Sequence, residues 1–271
     1  MKHLLTSVFV LLLFAGLSAY AEVTGKQVDY KAGDVTLKGY LAQDNSIKGK
    51  RPGVLVVHEW WGHNEYARKR ARMLAELGYT ALAVDMYGDG KNTGHPKEAK
   101  KFMQEVINNM AVGKARFLAA LNFLKKQHTV SSEKIAAIGY CFGGGVVLTM
   151  AREGMHLDGV ASFHGSLATK KPAKLDKVKA QVLVLHGEDD QFISHAQVNA
   201  FKQEMQNAKV DFEFISYPGV KHSFTNPEAD NFAIKFDLPL AYDQKADEDS
   251  WQKLQEFLKQ IFAKEDYPVL Y

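Results

Sequence analysis

Ile138-Gly139-Tyr140-Cys141-Phe142-Gly143-Gly144-Gly145 joins a short apolar run, Ile135–Ile138, to a stretch rich in small residues that reads as a helix start. It is a Gly-x-nucleophile-x-Gly pattern with a thiol as the central group. Such a pattern calls for a sharp strand-to-helix turn that lifts the central side chain off the sheet edge. Glycine is needed wherever another side chain would collide. In that geometry the backbone amide of Phe142 becomes available as an oxyanion donor. Taken alone, the stretch also fits a small cysteine packed behind a helix, since free cysteine is commonly buried.

Runs of the same apolar character lie on both sides of it. Val54–Val57, Ala81–Val84, Val160–Phe163, Val182–Leu185 and Phe212–Ile215 each fit a buried parallel strand. Between them, Ala67, Ala71, Leu74 and Leu77 recur on one helical face closed by Gly78, and Gly113, Phe117, Ala120, Leu121 and Leu124 do so in a second helix. This alternation implies an α/β architecture, a mostly parallel sheet with helices on both faces. Nearer the N-terminus, Val28–Lys31 and Val35–Leu41 alternate apolar and polar residues around Ala32-Gly33-Asp34, which predicts an antiparallel hairpin. No internal repeat, low-complexity stretch or linker interrupts residues 22–271, so a single domain is expected there.

The first residues carry a different signal. Met1-Lys2-His3 precedes an apolar core ending near Ser18, and Ala19-Tyr20-Ala21 places small residues two apart. That pattern predicts a secretory signal peptide over 1–21, cleaved near Ala21, leaving an exported protein that is periplasmic or secreted. The apolar run is short against the roughly 20 residues of a membrane-spanning helix, so no stable membrane anchor is expected after cleavage. Charge is nearly balanced, with 34 Lys and Arg against 31 Asp and Glu. Lysine clusters at Lys97, Lys100 and Lys101, and at Lys170, Lys171 and Lys174, read as solvated faces, and nucleic acid is not an expected partner. No Cys/His cluster has metal-ligand spacing, and no metal or cofactor is implied. Cys141 is the only cysteine. In an exported chain it is inert and buried, paired between molecules, or reactive.

In a parallel sheet the chemistry sits beyond the carboxyl ends of the strands. The residues there are His58-Glu59-Trp60-Trp61-Gly62, Asp85-Met86-Tyr87-Gly88, the Cys141 turn, His164-Gly165, His186-Gly187-Glu188-Asp189-Asp190, and Tyr217-Pro218-Gly219-Val220-Lys221-His222-Ser223-Phe224. Cys141, Asp190 and His222 give the chain order nucleophile, acid, histidine, which is the order of the α/β-hydrolases. A thiol needs a base to become thiolate, and an imidazole needs a carboxylate to hold its tautomer. Asp190 is favoured over Asp189 because Gln191-Phe192-Ile193 follows as the loop that would seat it. His222 follows a Pro-Gly turn, where a surface histidine would also be unremarkable. His58 and His186 read as structural, and His164 as a residue that could line the pocket.

Those stretches carry a resemblance. His58-Glu59-Trp60-Trp61-Gly62, Asp85-Met86-Tyr87, Gly139-Tyr140-Cys141-Phe142-Gly143-Gly144, His222-Ser223-Phe224 and the later Ala241-Tyr242…Ser250-Trp251 make the chain similar to the dienelactone hydrolases over nearly its whole mature length. The resemblance implies an α/β-hydrolase fold and a cysteine hydrolase of small esters or lactones working through a thioester. It gives Glu59 a part in switching the thiol to thiolate when substrate binds, and makes the Trp60 amide a second oxyanion donor beside Phe142. The family's best-known members also grip a substrate carboxylate with arginines. At the matching places this chain has Gly88-Asp89-Gly90 and Thr225-Asn226, so dienelactone itself is not the expected substrate. Trp61, Tyr87, Tyr140 and His164, with Trp60 and Phe142, suggest an aromatic-lined pocket. A monomer is expected. Two other readings stand beside this one: a non-catalytic small-molecule binder using the same cleft, and a redox-responsive thiol.

Overall fold

The computed structural model describes residues 22–263, so the expected signal peptide over 1–21 lies outside the described residues. In chain order the elements are β1 (Val23–Ala32), β2 (Val35–Asp44), β3 (Arg51–Val57), α1 (Glu65–Glu76), β4 (Thr80–Val84), α2 (Pro96–Ile107), α3 (Met110–Lys125) and β5 (Val130–Tyr140). They continue as α4 (Phe142–Arg152), β6 (Gly159–Phe163), β7 (Gln181–Gly187), α5 (His195–Asn207), β8 (Phe212–Tyr217), α6 (Ala229–Phe236) and α7 (Gln244–Ala263).

Eight strands make one sheet in the order β1-β2-β4-β3-β5-β6-β7-β8. The hairpin β1–β2 is antiparallel, and β2 meets β4 antiparallel. All pairings from β4 through β8 are parallel. The pleat explains why the central runs are apolar at every position. In β3, Leu55 and Val57 face a core shared with α3, α4 and α5, whereas Val54 and Val56 face one shared with α1 and α7. Successive side chains point to opposite faces, so a strand covered on both sides shows no alternation. The hairpin strands run longer than their alternating segments suggest, because β1 pairs with β2 along its full length from Val23.

β5 ends at Tyr140, α4 begins at Phe142, and Cys141 alone makes the turn. The first turn of α4 lies hard against the strand ends. A Cβ on Gly143 would sit 2.2 Å from the Val57 carbonyl oxygen, and one on Gly139 would sit 2.2 Å from the Gly143 carbonyl oxygen. Both contacts are with backbone, which cannot swing aside, so glycine is required there. Downstream, Asn226–Asp249 holds α6 and the start of α7. Among the described residues no helix is long and apolar enough to cross a membrane.

Candidate active site

Cys141 occupies the cap position of α4 with φ 53° and ψ −115°, a conformation that an L-residue adopts only when its surroundings enforce it. Here the enforcement is visible. The Cys141 amide donates to the Phe163 carbonyl at 3.0 Å and also faces His164 Nδ1 at 3.1 Å. The side chain is partly exposed. Phe142 opens the helix, where the first amides have no partner within the helix and carry its positive end.

Asp190 and His222 arrive from the loops after β7 and β8. His222 Nδ1–H donates to Asp190 Oδ2 at 2.7 Å, while the Phe192 amide donates to Asp190 Oδ1 at 2.8 Å. Asp190 is 3% exposed, whereas Asp189 faces solvent, which separates the two adjacent carboxylates. With Nδ1 engaged at Asp190, Nε2 is the ring nitrogen left for a second partner, and Cys141 is close enough to act on the charge of the ring. Burial alone would lower the affinity of His222 for its proton. The charge and hydrogen bond of Cys141, together with Asp190, outweigh this and hold His222 up at about 10.

Glu59 is buried at the end of β3. Its two oxygens accept from Ser223 Oγ at 2.9 Å and Asn226 Nδ2 at 2.6 Å. Burial raises its proton affinity, against the opposing effect of these two donors and of the nearby His222 and Arg70. The resemblance left Asn226 only as a missing arginine. In the structure its carboxamide holds Glu59.

The aromatic residues divide. Trp60 is partly exposed, and its carbonyl accepts from Tyr87 Oη at 3.0 Å. Trp61 stacks on Phe232 of α6 at 4.1 Å and is buried. All four residues expected at the pocket wall are buried, Trp61 at 1% and Tyr87 at 2% exposure among them, and two of the four pack away from the thiol or behind it. Tyr140 is fully buried because the pleat of β5 turns it onto the α1/α7 face, against Tyr66 and Phe163. His164 is also fully buried, behind the thiol. Its Nδ1 accepts from the Cys141 amide, so its Nε2–H donates to Thr225 Oγ1 at 2.8 Å. Burial, with His222 and Arg70 beside it, holds His164 well below its ordinary value and hence neutral, as that tautomer requires. Phe192, named from the sequence only as part of the loop seating Asp190, stands 49% exposed with its ring edge-on to His222 at 4.9 Å.

Behind the site runs a buried polar chain that sequence reasoning did not find. Tyr66 Oη contacts Thr225 Oγ1 at 2.6 Å, and Arg70 of α1 donates to the Thr225 carbonyl at 2.6 Å and to Asp247 of α7. Arg116 of α3 reaches the loop after β4, where it donates to the Met86 carbonyl at 2.8 Å.

With this geometry in place, the family model described as dienelactone hydrolase family matches residues 37–262. The chain belongs to the dienelactone hydrolase family. Among solved structures it is similar to a dienelactone hydrolase-like promiscuous phosphotriesterase from metagenomic libraries. That match has 35% identity and a TM-score of 0.84, and covers 89% of this chain and 99% of the other. It is also similar to the structure named m3DLH, at 33% identity with a TM-score of 0.83 over 89% and 99% of the two chains. Protein usf of Aquifex pyrophilus is 28% identical over 88% of this chain and 100% of its own. The fold is therefore that of an α/β-hydrolase, and this dienelactone hydrolase family member is a hydrolytic enzyme.

Proposed function

We propose that this hydrolase cleaves small esters or lactones through Cys141, His222 and Asp190, by way of a thioester on Cys141. The observation that carries the proposal is the 2.7 Å hydrogen bond from His222 Nδ1–H to Asp190, at a site where Cys141 is held on the turn into α4 with φ 53°. A histidine held up at about 10 carries its proton at neutral pH and so stands ready as the acid that the leaving group needs.

The thiolate attacks the carbonyl carbon, forming the C–S bond as the carbonyl electron pair moves to oxygen. The Phe142 and Trp60 amides stabilise that oxygen, and losing one such donor typically costs about 2.7–4 kcal/mol in barrier. Collapse expels the alkoxide, which takes the proton from His222. The neutral imidazole then draws a proton from water as the oxygen attacks the thioester, and the thiolate leaves with the acid product released. Asp190 keeps Nδ1 protonated throughout, so that the other nitrogen does the proton transfer. Glu59, buried and inclined to hold a proton, supplies a second place for a proton near His222 when substrate enters.

The substrate side follows from two positions. Asn226 is committed to Glu59, and Asp89 occupies the position matching a family arginine, so a neutral ester or lactone is favoured over dienelactone itself. Phe192, exposed beside His222, offers an apolar face to the group being transferred. The likeness to a promiscuous phosphotriesterase makes a neutral phosphotriester worth including beside the esters. Export with cleavage near Ala21, and action as a monomer, belong to the same proposal. The test is turnover of chromogenic esters of increasing acyl length by wild type, Cys141→Ala and Cys141→Ser. Wild-type activity with none in the alanine variant is expected, and undiminished hydrolysis by Cys141→Ala would sink the assignment.

A further inference from the structure

His58, which sequence reasoning assigned to structure alone, is fully buried at the end of β3, and both of its ring nitrogens are spoken for by backbone. The Met86 amide can only donate, so His58 Nε2, 3.3 Å away, must accept. A neutral imidazole has one donor and one acceptor, which leaves Nδ1–H to donate to the Glu59 carbonyl at 2.6 Å. Burial lowers the proton affinity of His58, in keeping with the neutral ring.

That carbonyl belongs to the same peptide plane as the Trp60 N–H. The described residues contain no cis peptide, so C=O and N–H of this unit point in opposite directions. Whatever fixes the Glu59 carbonyl therefore fixes the aim of the Trp60 amide. Two donors fix it, His58 Nδ1–H and the Gly62 amide at 3.2 Å. The next carbonyl, that of Trp60, is fixed in turn by Tyr87 Oη at 3.0 Å. Both peptide planes flanking Trp60 are thus clamped. The His58 ring also stacks near Phe142, centroids 5.8 Å apart, and the start of α4 lies hard against the Val57 and His58 carbonyls. The clamp and the thiol-bearing turn share one packed unit.

We infer that His58 is a positioning residue for the oxyanion site, holding the Trp60 amide in its working orientation through the Glu59 carbonyl. The inference rests on the reading of Cys141 as nucleophile. Its chemistry predicts a particular pattern of rescue. Asparagine places its Nδ2–H where Nδ1–H stood and keeps the donor to Glu59. Glutamine instead reaches the Nε2 position, keeps an acceptor for Met86, and leaves the Glu59 carbonyl with the weaker Gly62 contact alone.

The experiment compares wild type, His58→Asn, His58→Gln, Tyr87→Phe and Cys141→Ala in two assays: hydrolysis of a chromogenic ester, and alkylation of Cys141 by iodoacetamide. Alkylation needs the thiolate but forms no oxyanion, so it reports the thiol without the hole. His58→Gln is expected to lose roughly 10–100-fold in kcat, less than the roughly 10²–10³-fold that removing an oxyanion donor outright costs, with KM and alkylation rate within about threefold of wild type. His58→Asn should keep kcat within a few-fold. Tyr87→Phe, which frees the peptide plane on the other side of Trp60, should lose kcat while keeping alkylation, and carries the test of the clamp should both His58 variants fail to fold. Undiminished kcat in His58→Gln, equal losses in the Asn and Gln variants, or alkylation falling in step with hydrolysis would each overturn the inference. Hydrolysis surviving in Cys141→Ala would instead overturn the reading of the nucleophile, which separates the two failures.

Discussion

Replacing Asp190 with asparagine changes one oxygen for an NH2 group, and the structure fixes what that costs. Oδ1 accepts the Phe192 amide at 2.8 Å and Oδ2 accepts His222 Nδ1–H at 2.7 Å. Both partners are donors. An asparagine offers only one acceptor, so in either orientation its NH2 meets an N–H in a buried place. One donor goes unsatisfied, at about 1–3 kcal/mol. For a chain of this size that corresponds to a fall in Tm of roughly 2–12 °C. If the NH2 turns to His222, the ring is pushed into the wrong tautomer, a change that has cost about 10⁴ in kcat in a serine triad. If it turns to Phe192, the loop that seats the acid is disturbed instead. Loss of the carboxylate charge also weakens the hold that keeps His222 protonated up to about 10. The sign follows directly: His222 works as the acid for the leaving group only below its pKa. Wild-type kcat/KM for a chromogenic ester should stay level from pH 7 to 9 and halve near pH 10. In Asp190→Asn, kcat/KM at pH 7 should fall roughly 10²–10⁴-fold, and the basic limb should move to lower pH. An Asp190→Asn enzyme within about threefold of wild type, with its basic limb still near pH 10, would refute this reasoning.

Other outcomes can be checked as simply. Arg70 is 3% exposed and pairs with Asp247 while donating to the Thr225 carbonyl, so Arg70→Met should destabilise by about 3–5 kcal/mol in urea unfolding through the stranded carboxylate. His63 is buried and held down at about 4, mainly by burial. Its neutral form is favoured by folding, so stability should be fully present above about pH 6.5 and be lost as pH falls toward 4. His63→Phe should flatten the curve of unfolding free energy against pH in that window, by up to about 3 kcal/mol at its acid end. Phe192→Ala should raise KM for long-chain or aryl esters several-fold more than for acetyl esters, leaving kcat for acetyl esters nearly unchanged. Gly143→Ala should not yield active enzyme, because its Cβ would lie 2.2 Å from the Val57 carbonyl oxygen, and activity in the soluble fraction is the check.

The sheet was legible because its central strands are apolar on both faces, and Cys141, Asp190 and His222 could be picked out beyond the ends of their strands, whereas a part for Glu59 came only from the family resemblance. The hairpin was legible because β1 and β2 alternate. What stayed hidden depends on partners far apart in the chain. Nothing near Asn226 says that its amide will meet Glu59, and nothing near Arg70 says that it will reach Thr225 and Asp247. Tyr140 was misplaced because an aromatic at a strand end faces the pocket or the opposite core according to pleat phase, which one residue of register decides. His164 sat at the correct strand end, but only the turn at Cys141 shows that its ring serves the backbone behind the thiol. The role inferred for His58 lies in the direction of a peptide plane, which no residue pattern encodes.

The central claim is that acyl transfer passes through Cys141, and the most direct measurement is mass spectrometry of the enzyme quenched in acid during turnover of a slowly deacylated ester. The account predicts a mass increase equal to one acyl group, mapped to the peptide containing Cys141, removed by hydroxylamine and absent from Cys141→Ala. Turnover that proceeds with no acyl group on Cys141 at any quench time, or with the acyl group on another residue, would contradict it.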